Sequence, residues 1–280
     1  MGAASLTDIE FDAVADMIYA RTGMRFGDTR RSYVEKRVLE RVRVRGAGSV
    51  RNYLVMLLND STGRDLQDLV NSLTVNETYF FRESYQLDCL TKQILPEVLQ
   101  ESGRKDIRIW SIPCSTGEEP YSIALTLLES FPGVDDYEIE IFGSDVDTHA
   151  LQSCVEAVYP ERSLRNVPPA VRARYFERKS DYLWQVCQGL RDSVTFTHCS
   201  LVNRQEMTKF SRFDVIFCKN VLIYFDTISR RTAAENLFNA LRPGGFICLG
   251  HSESMARICS SFRVKRFKDA IVYQRPGPNG

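Results

Sequence analysis

The sequence predicts an α/β protein with an open, mainly parallel sheet and a small antiparallel β-insert, preceded by an all-helical N-terminal domain. Three observations carry this reading. Residues 1–88 place apolar side chains at helical spacing with no strand pattern between them. From Asp106 onward short apolar strands alternate with helices. A turn containing Gly117 then joins the first of those strands to an amphipathic helix.

Taken in order, Phe11, Val14, Ile18 and Tyr19 mark a first helix, a basic stretch from Arg30 to Arg45 a second, and Tyr53 to Leu58 and Leu66 to Leu73 two more. The basic stretch holds seven basic residues against two acidic ones. On a helix Arg30, Arg37 and Arg41 fall along one side, with Val34, Val38 and Val42 beside them as the packing face. Leu90, Ile94, Leu95 and Val98 define a linker helix within 89–105, which separates the domain at 1–88 from a second domain at 106–280.

In that second domain Ile107 to Ile112 forms the first strand. Gly117 supplies a residue free to take positive φ, and Pro120 suits the first turn of the next helix, whose Ile123, Ala124, Leu127, Leu128 and Phe131 form a buried face. Tyr137 to Phe142, Phe213 to Cys218 and Gly245 to Gly250 are further strands, with a helix near Ile228 to Leu241. Two apolar runs around Gly189 suggest a hairpin, an inserted β-subdomain at about 177–197. Phe262 to Phe267 and Ala270 to Tyr273 read as a strand pair that turns back on itself at the C-terminal end.

Composition narrows the function classes. With 280 residues, 44% of them hydrophobic, the chain can build a proper core. Its 36 basic and 36 acidic residues cancel, so no global field draws it to nucleic acid or membrane, and any charged partner must meet a local patch. Eight cysteines include no C-x-x-C pair and only three histidines accompany them, so no metal site is expected. Cysteines in apolar runs point to a reducing cytoplasm. No apolar run approaches the roughly 20 residues of a membrane span, and no basic-then-apolar leader opens the chain; a soluble, monomeric protein is expected.

The loop Cys114-Ser-Thr-Gly-Glu-Glu-Pro-Tyr121 decides the ligand class. A pyrophosphate cradle needs bare backbone N–H groups, usually behind several glycines. This loop has one glycine and two glutamates, which repel phosphate and suit a cation; S-adenosylmethionine, with its sulfonium and amino groups, is such a ligand. Equally, Glu118 and Glu119 can serve only the helix dipole. Asp145, at the carboxyl end of the second strand, is placed to accept two ribose hydroxyls, while Asp147 caps the helix that starts near Thr148. Asn220 interrupts an apolar stretch after the strand at Phe213 to Cys218. It either contacts the amino-acid part of a cofactor or makes a turn, and Tyr224 either lines the mouth of the site or fills the core. Arg82 carries a planar fork suited to a carboxylate, unless it pairs with Glu83 or another acid of its own chain.

Five stretches carry a resemblance: Asn76-Glu-Thr-Tyr-Phe-Phe-Arg-Glu83, Cys114 to Tyr121, Ser144-Asp-Val-Asp147, Lys219-Asn-Val-Leu-Ile-Tyr-Phe225, and Leu241-Arg-Pro-Gly-Gly245 with Gly250-His-Ser-Glu253. In order and spacing across about residues 10–275 the chain closely resembles the chemotaxis receptor methyltransferases of the CheR family. The resemblance implies a Rossmann-like methyltransferase sheet and methyl transfer from S-adenosylmethionine to glutamate side chains on the cytoplasmic helices of chemoreceptors. The products are a methyl ester and S-adenosylhomocysteine. It also implies cofactor contacts from Asn76, Thr78, Arg82, Glu119, Asp145, Ser200, Leu201, Asn220 and Val221. Ser200 stands where the family often has asparagine.

A glutamate carboxylate is ionised at neutral pH, so the reaction needs alignment and removal of water rather than a general base. Arg82 and Tyr224 are assigned to orienting the acceptor. Arg30, Arg37 and Arg41 are assigned to docking on glutamate-rich receptor helices, against a plain solvated face or a nucleic-acid patch. The insert is short and lacks a glycine-rich loop, which predicts an enzyme that does not use a receptor C-terminal tether. Competing readings are a cofactor-binding scaffold without turnover, a methyltransferase with another acceptor such as RNA, and a nicotinamide-dependent dehydrogenase. The last is disfavoured by the missing glycine spacing.

Overall fold

The computed structural model describes residues 5–277; the outermost ends of the two expected domains, residues 1–4 and 278–280, lie outside the described residues. Four helices open the fold: α1 (Asp8–Thr22), α2 (Arg31–Val44), α3 (Val50–Asn59) and α4 (Arg64–Leu73). Thr7 and Glu10 form a reciprocal capping box that starts α1, and Ser49 caps α3 through the Asn52 N–H. Phe11, Val14 and Ile18 are buried as their spacing predicts. Val34 and Val38 are buried too, whereas Val42, near the end of α2, is half-buried and packs against the edge of the same core.

The linker helix begins earlier than its apolar residues suggest. α5 (Ser84–Cys89), a π-turn at Leu90–Ile94 and α6 (Leu95–Ser102) follow one another without a break. Thereafter come β1 (Asp106–Ser111), α7 (Glu118–Ser130), β2 (Glu138–Asp145), α8 (Thr148–Glu156), β3 (Val158–Pro160), α9 (Pro169–Tyr175), β4 (Phe176–Arg178), β5 (Leu183–Val186), α10 (Gln188–Asp192), β6 (Val194–His198), α11 (Arg204–Met207), β7 (Phe213–Cys218), α12 (Thr227–Ala240), β8 (Leu241–Leu249), β9 (Arg263–Arg266) and β10 (Ile271–Gln274).

The main sheet has the order β6-β2-β1-β7-β8-β10-β9. The first five strands are parallel, and β10 and β9 close the far edge as the antiparallel pair expected at the C-terminal end. Because the chain leaves β1 toward β2 on one side and β7 lies on the other, the order reverses at β1. The crevice at the carboxyl ends of β1, β2 and β7 is therefore the place for a ligand.

The inserted subdomain differs from the expected hairpin. β5 pairs with β3 and β4 in a separate antiparallel sheet, so the insert runs from Val158 to Val186 rather than about 177–197. Val194 to His198 instead joins the main sheet, parallel to β2. Gly189 lies in α10, whose buried Leu190 turns the chain back toward the sheet. The cause is Phe196: it packs against Tyr121, and a Cβ on Gly143 of β2 would lie 2.7 Å from its ring, so the bare glycine gives β6 its seat.

The sheet separates two apolar layers. On one face α1–α4 and α12 pack over Trp110, Ile216 and Ile247; on the other α5–α7 and the small sheet pack over Ile109, Val215 and Phe217. The helical domain is fastened beside the crevice. Met24 bridges Phe225, the Arg25 N–H donates to the Tyr224 carbonyl at 3.0 Å, and the Tyr19 hydroxyl donates to Asp226.

Candidate functional site

The loop between β1 and α7 is held rigidly. Ser115 and Gly117 both take left-handed φ, 50° and 96°. A Cβ on Gly117 would stand 2.9 Å from the Tyr159 hydroxyl, which itself donates to the Thr116 carbonyl at 2.7 Å. Asp145 lies beneath: its carboxylate accepts the Ser115 N–H at 2.8 Å and the Asp147 N–H at 2.9 Å. Burial raises its carboxyl to about 6, against which those backbone donors work. Asp147 caps α8 through the His149 and Ala150 N–H groups, as expected, and also accepts from Thr74 and from Asn76 Nδ2 at 2.7 Å. Asn76 Oδ1 in turn accepts from the Ser115 hydroxyl at 3.2 Å, tying the segment before α5 to the loop.

At the ends of β1 and β7 three charges are stacked out of water. Lys219 Nζ lies 2.8 Å from Glu119 and 3.1 Å from Glu83, and Ser111 donates to the other oxygen of Glu119 at 2.9 Å. Burial lowers the Lys219 pKa, but the two carboxylates outweigh it and the net shift is upward. Two carboxylates against one ammonium leave a negative charge on the cluster. Glu83 is thus taken up by Lys219 and by His251, and Arg82 has no acidic partner among the described residues. The Arg82 Nη1 donates to the Glu77 carbonyl at 2.8 Å, and its guanidinium lies 5.9 Å from the Tyr79 ring centre.

Asn220 is held at φ 60° by Glu253, which accepts the N–H groups of Asn220, Leu222 and Gly250 at 2.7, 2.8 and 3.0 Å. Thr78, Arg82, Glu119 and Asn220 come together around a cavity of about 60 Å³ that Lys219 and Ser115 also line. Ser200 is placed beside Asp145 because the Cys199 N–H donates to the Asp145 carbonyl at 3.1 Å; the Ser200 hydroxyl is buried without a partner. Leu201 is core, Val221 is half-buried, and neither lines the cavity. Nor does Tyr224, whose ring lies under the Arg30 guanidinium at 4.8 Å.

Family models match both parts of the chain: the CheR methyltransferase all-alpha domain over residues 9–74, and the CheR methyltransferase SAM binding domain over residues 76–271. The chain belongs to the CheR methyltransferase family. It is 45% identical to chemotaxis protein methyltransferase 2 of Vibrio cholerae over 97% of this chain and 94% of that one. It is 34% identical to the chemotaxis protein methyltransferase of Escherichia coli, covering 93% and 90% of the two chains. Against that of Borreliella burgdorferi the figures are 31% identity over 90% of each chain. This CheR protein is an S-adenosylmethionine-dependent methyltransferase of chemotaxis.

The residues of this CheR chain fit that cofactor by their donor set. Net negative charge at Glu119 and Glu83 suits a cationic sulfonium and ammonium, Arg82, with no acidic partner among the described residues, suits a carboxylate, and the buried Ser200 hydroxyl has hydrogen-bonding capacity to spare. The N-terminal arginines part company here. Arg30 is exposed, Arg37 is half-buried and 3.4 Å from Glu40, but Arg41 is only 14% exposed and bound to Asp68 and Asp65 inside the helical domain. Arg41 holds α2 to α4 and does not face outward, because α4 presents two acids along the same side. The residues that the sequence reading passed over are Lys219, Glu83 and Glu253. A lysine directly after the strand Phe213–Cys218, buried at every position, is the available signal, since a charge there is buried only if paired.

Proposed function

We propose that this enzyme transfers a methyl group to glutamate side chains on the cytoplasmic helices of chemoreceptors, acting as a protein-glutamate O-methyltransferase. One observation supports it above others: the cleft presents an arginine without an acidic partner beside a buried acid–lysine cluster, and no histidine lines it. Such a site can orient a carboxylate that is already ionised and needs no base, and it offers no imidazole to activate an alcohol or amine. When bound, S-adenosylmethionine supplies a methyl carbon made electrophilic by its sulfonium. Asn76, Thr78, Arg82, Glu119, Asp145, Ser200, Leu201, Asn220 and Val221 would hold it, with Glu119 at its amino group and Asp145 at its ribose.

The deciding experiment is transfer of labelled methyl to membranes containing the organism's own chemoreceptors, with base-labile release as the mark of a carboxyl ester. Base-labile label supports the reading. Cofactor binding without label points to a non-catalytic role or another acceptor, and overturns it.

Asp145 gives a pH dependence. Ribose hydroxyls donate to the ionised form of a carboxyl that burial holds near 6. Binding is then coupled to loss of that proton, and affinity falls as pH drops through 6. The dissociation constant is expected to rise about tenfold from pH 7 to pH 5. The free chain moves the opposite way: a raised folded pKa removes stability above it, so Asp145 costs the fold less as pH falls through the same range. Calorimetry at both pH values checks this, and a flat profile for the wild type would reject the ribose role.

Arg82→Ala is expected to lower kcat/KM for the receptor about 10- to 100-fold with cofactor saturating, the worth of one charge-assisted hydrogen bond. Tyr224→Phe should have a smaller effect. If either variant lost only cofactor affinity, its orienting role would be wrong. Docking falls to Arg30 and Arg37 in the proposed complex, with exposed Lys36 and Arg43 near them. We place the enzyme in the cytoplasm as a monomer; no helix among the described residues is long and apolar enough to cross a membrane. The small sheet joins β4 and β5 through only Lys179 to Tyr182. A receptor C-terminal pentapeptide is accordingly expected to give no binding heat, and tight binding would overturn tether independence.

A further inference from the structure

A groove of about 560 Å³ adjoins the cofactor cleft and shares Glu77 and Thr78 with it. Its outer wall is the turn after β3, which carries Arg162 and Arg165; its floor includes Thr116 and Glu118. Both arginines are exposed, and neither has an acidic partner among the described residues. The adjacent Glu161 is already committed to Arg172 and to the Trp184 indole N–H, so it neutralises neither.

Arg165 is held in place. Its guanidinium lies 3.4 Å from the Tyr79 ring centre, and its Nη1 donates to the Arg162 carbonyl at 3.1 Å. Tyr79 is the ring that also neighbours Arg82, at 5.9 Å. One tyrosine therefore spaces two guanidiniums that lack acidic partners, one lining the cofactor cleft and one lining the groove. The groove also holds two acids, Glu118 and Glu77, against the two arginines. Glu118 is buried, which raises its carboxyl above the ordinary range, and it accepts from Thr116 at 2.6 Å; Glu77 is open to water.

We infer that this groove seats the acceptor helix and that Arg165, with Arg162 beside it, binds a second carboxylate one helical turn from the glutamate that is methylated. The placement supports it: side chains four residues apart on a helix stand about 6 Å from each other at Cβ and share one face, and Arg165 and Arg82 neighbour the same ring, one in the groove and one in the cleft. Arg165 thereby sets specificity for acidic helices without touching the methyl group. This rests on the glutamate reading proposed above.

The test uses the full chain and three otherwise uncharged helical peptides. Each carries one acceptor glutamate, with a second glutamate four residues before it, four residues after it, or replaced by glutamine. Initial rates of base-labile label and cofactor affinity by calorimetry are measured. Wild type should prefer one of the two-glutamate peptides to the glutamine peptide by about tenfold in kcat/KM, chiefly through KM. Arg165→Gln should reduce that ratio to about one while cofactor affinity stays within twofold, and Arg165→Lys should restore part of it. Equal kcat/KM for all three peptides with wild type, or an unchanged ratio in Arg165→Gln, overturns the inference alone. No base-labile label on any peptide overturns the glutamate reading, and the inference with it.

Discussion

Lys219→Met is expected to destabilise the fold by about 3 kcal/mol, because it leaves two part-buried carboxylates, 11% and 16% exposed, without their cation. For a chain of this size that is a fall in Tm on the order of 10 °C. Lys219 is 4% exposed and stands between Glu119 and Glu83, and its ammonium also approaches the Arg82 carbonyl at 3.4 Å. Those acids come from α7 and the start of α5, so the lysine joins the end of β7 to two helices at once. Cofactor affinity should fall with stability, since Glu119 and Arg82 are positioned through it.

The pH dependence distinguishes this from a simple packing loss. In the wild type, burial pushes the Glu83 carboxyl up, but Lys219 and His251 outweigh burial and hold it below its ordinary value. A depressed carboxyl contributes stability that is complete above its unfolded value, near 4.3, and is lost as pH falls through the folded value. Without Lys219 the sign reverses. Two facing carboxylates without a cation repel each other, the cost is complete at neutral pH, and it shrinks as one of them takes up a proton. The Tm difference between wild type and Lys219→Met should therefore be largest at pH 8 and narrow toward pH 5. A difference that is constant across that range, or under 1 kcal/mol at neutral pH, would mean the cluster is not what holds these elements together.

What the sequence made legible follows from range. Local signals were strong. The helical spacing of Phe11, Val14 and Ile18, the left-handed Gly117 and the alternation from Asp106 onward each report on a few neighbouring residues, and the helices and the parallel sheet follow from them. The insert was misassigned because the choice between pairing Val194–His198 with Leu183–Val186 or with β2 depends on Gly143, some fifty residues away, leaving room for Phe196. No periodicity contains that. Arg41 failed for the same reason: helical spacing put it beside Arg37, but only α4, carrying Asp65 and Asp68, decides that it turns inward. In the site, Glu119, Asp145 and Asn220 could be picked out by their place after strands. Their partners are set at long range, Glu119 by an ion pair with Lys219 and Asn220 by a backbone N–H bond to Glu253, and spacing does not encode either pairing.

Glu253 is where that long-range pairing should matter most for the cofactor. Its carboxylate accepts three backbone N–H groups from two loops: one oxygen takes Asn220 and Gly250, the other takes Leu222. The loops are built around it, for a Cβ on Gly250 would stand 2.8 Å from both Asn220 Nδ2 and Glu253 Oε2. Glu253→Ala strands three part-buried donors and releases Asn220 from its left-handed conformation. At about 1 kcal/mol or more for each unsatisfied donor, the loss is roughly 3 kcal/mol. Because the damage is local to the ends of β7 and β8, it should appear first as a loss of cofactor affinity of about 100-fold and as faster amide exchange at Asn220, Leu222 and Gly250. Glu253→Gln separates clamp from bulk. Its amide oxygen can keep the two bonds to Asn220 and Gly250, but its NH₂ would face the Leu222 N–H, so it should fall between wild type and Glu253→Ala, with Leu222 exchanging fastest. Unchanged cofactor affinity in both variants would show that the Asn220 loop is held by its own packing and that Glu253 is a bystander.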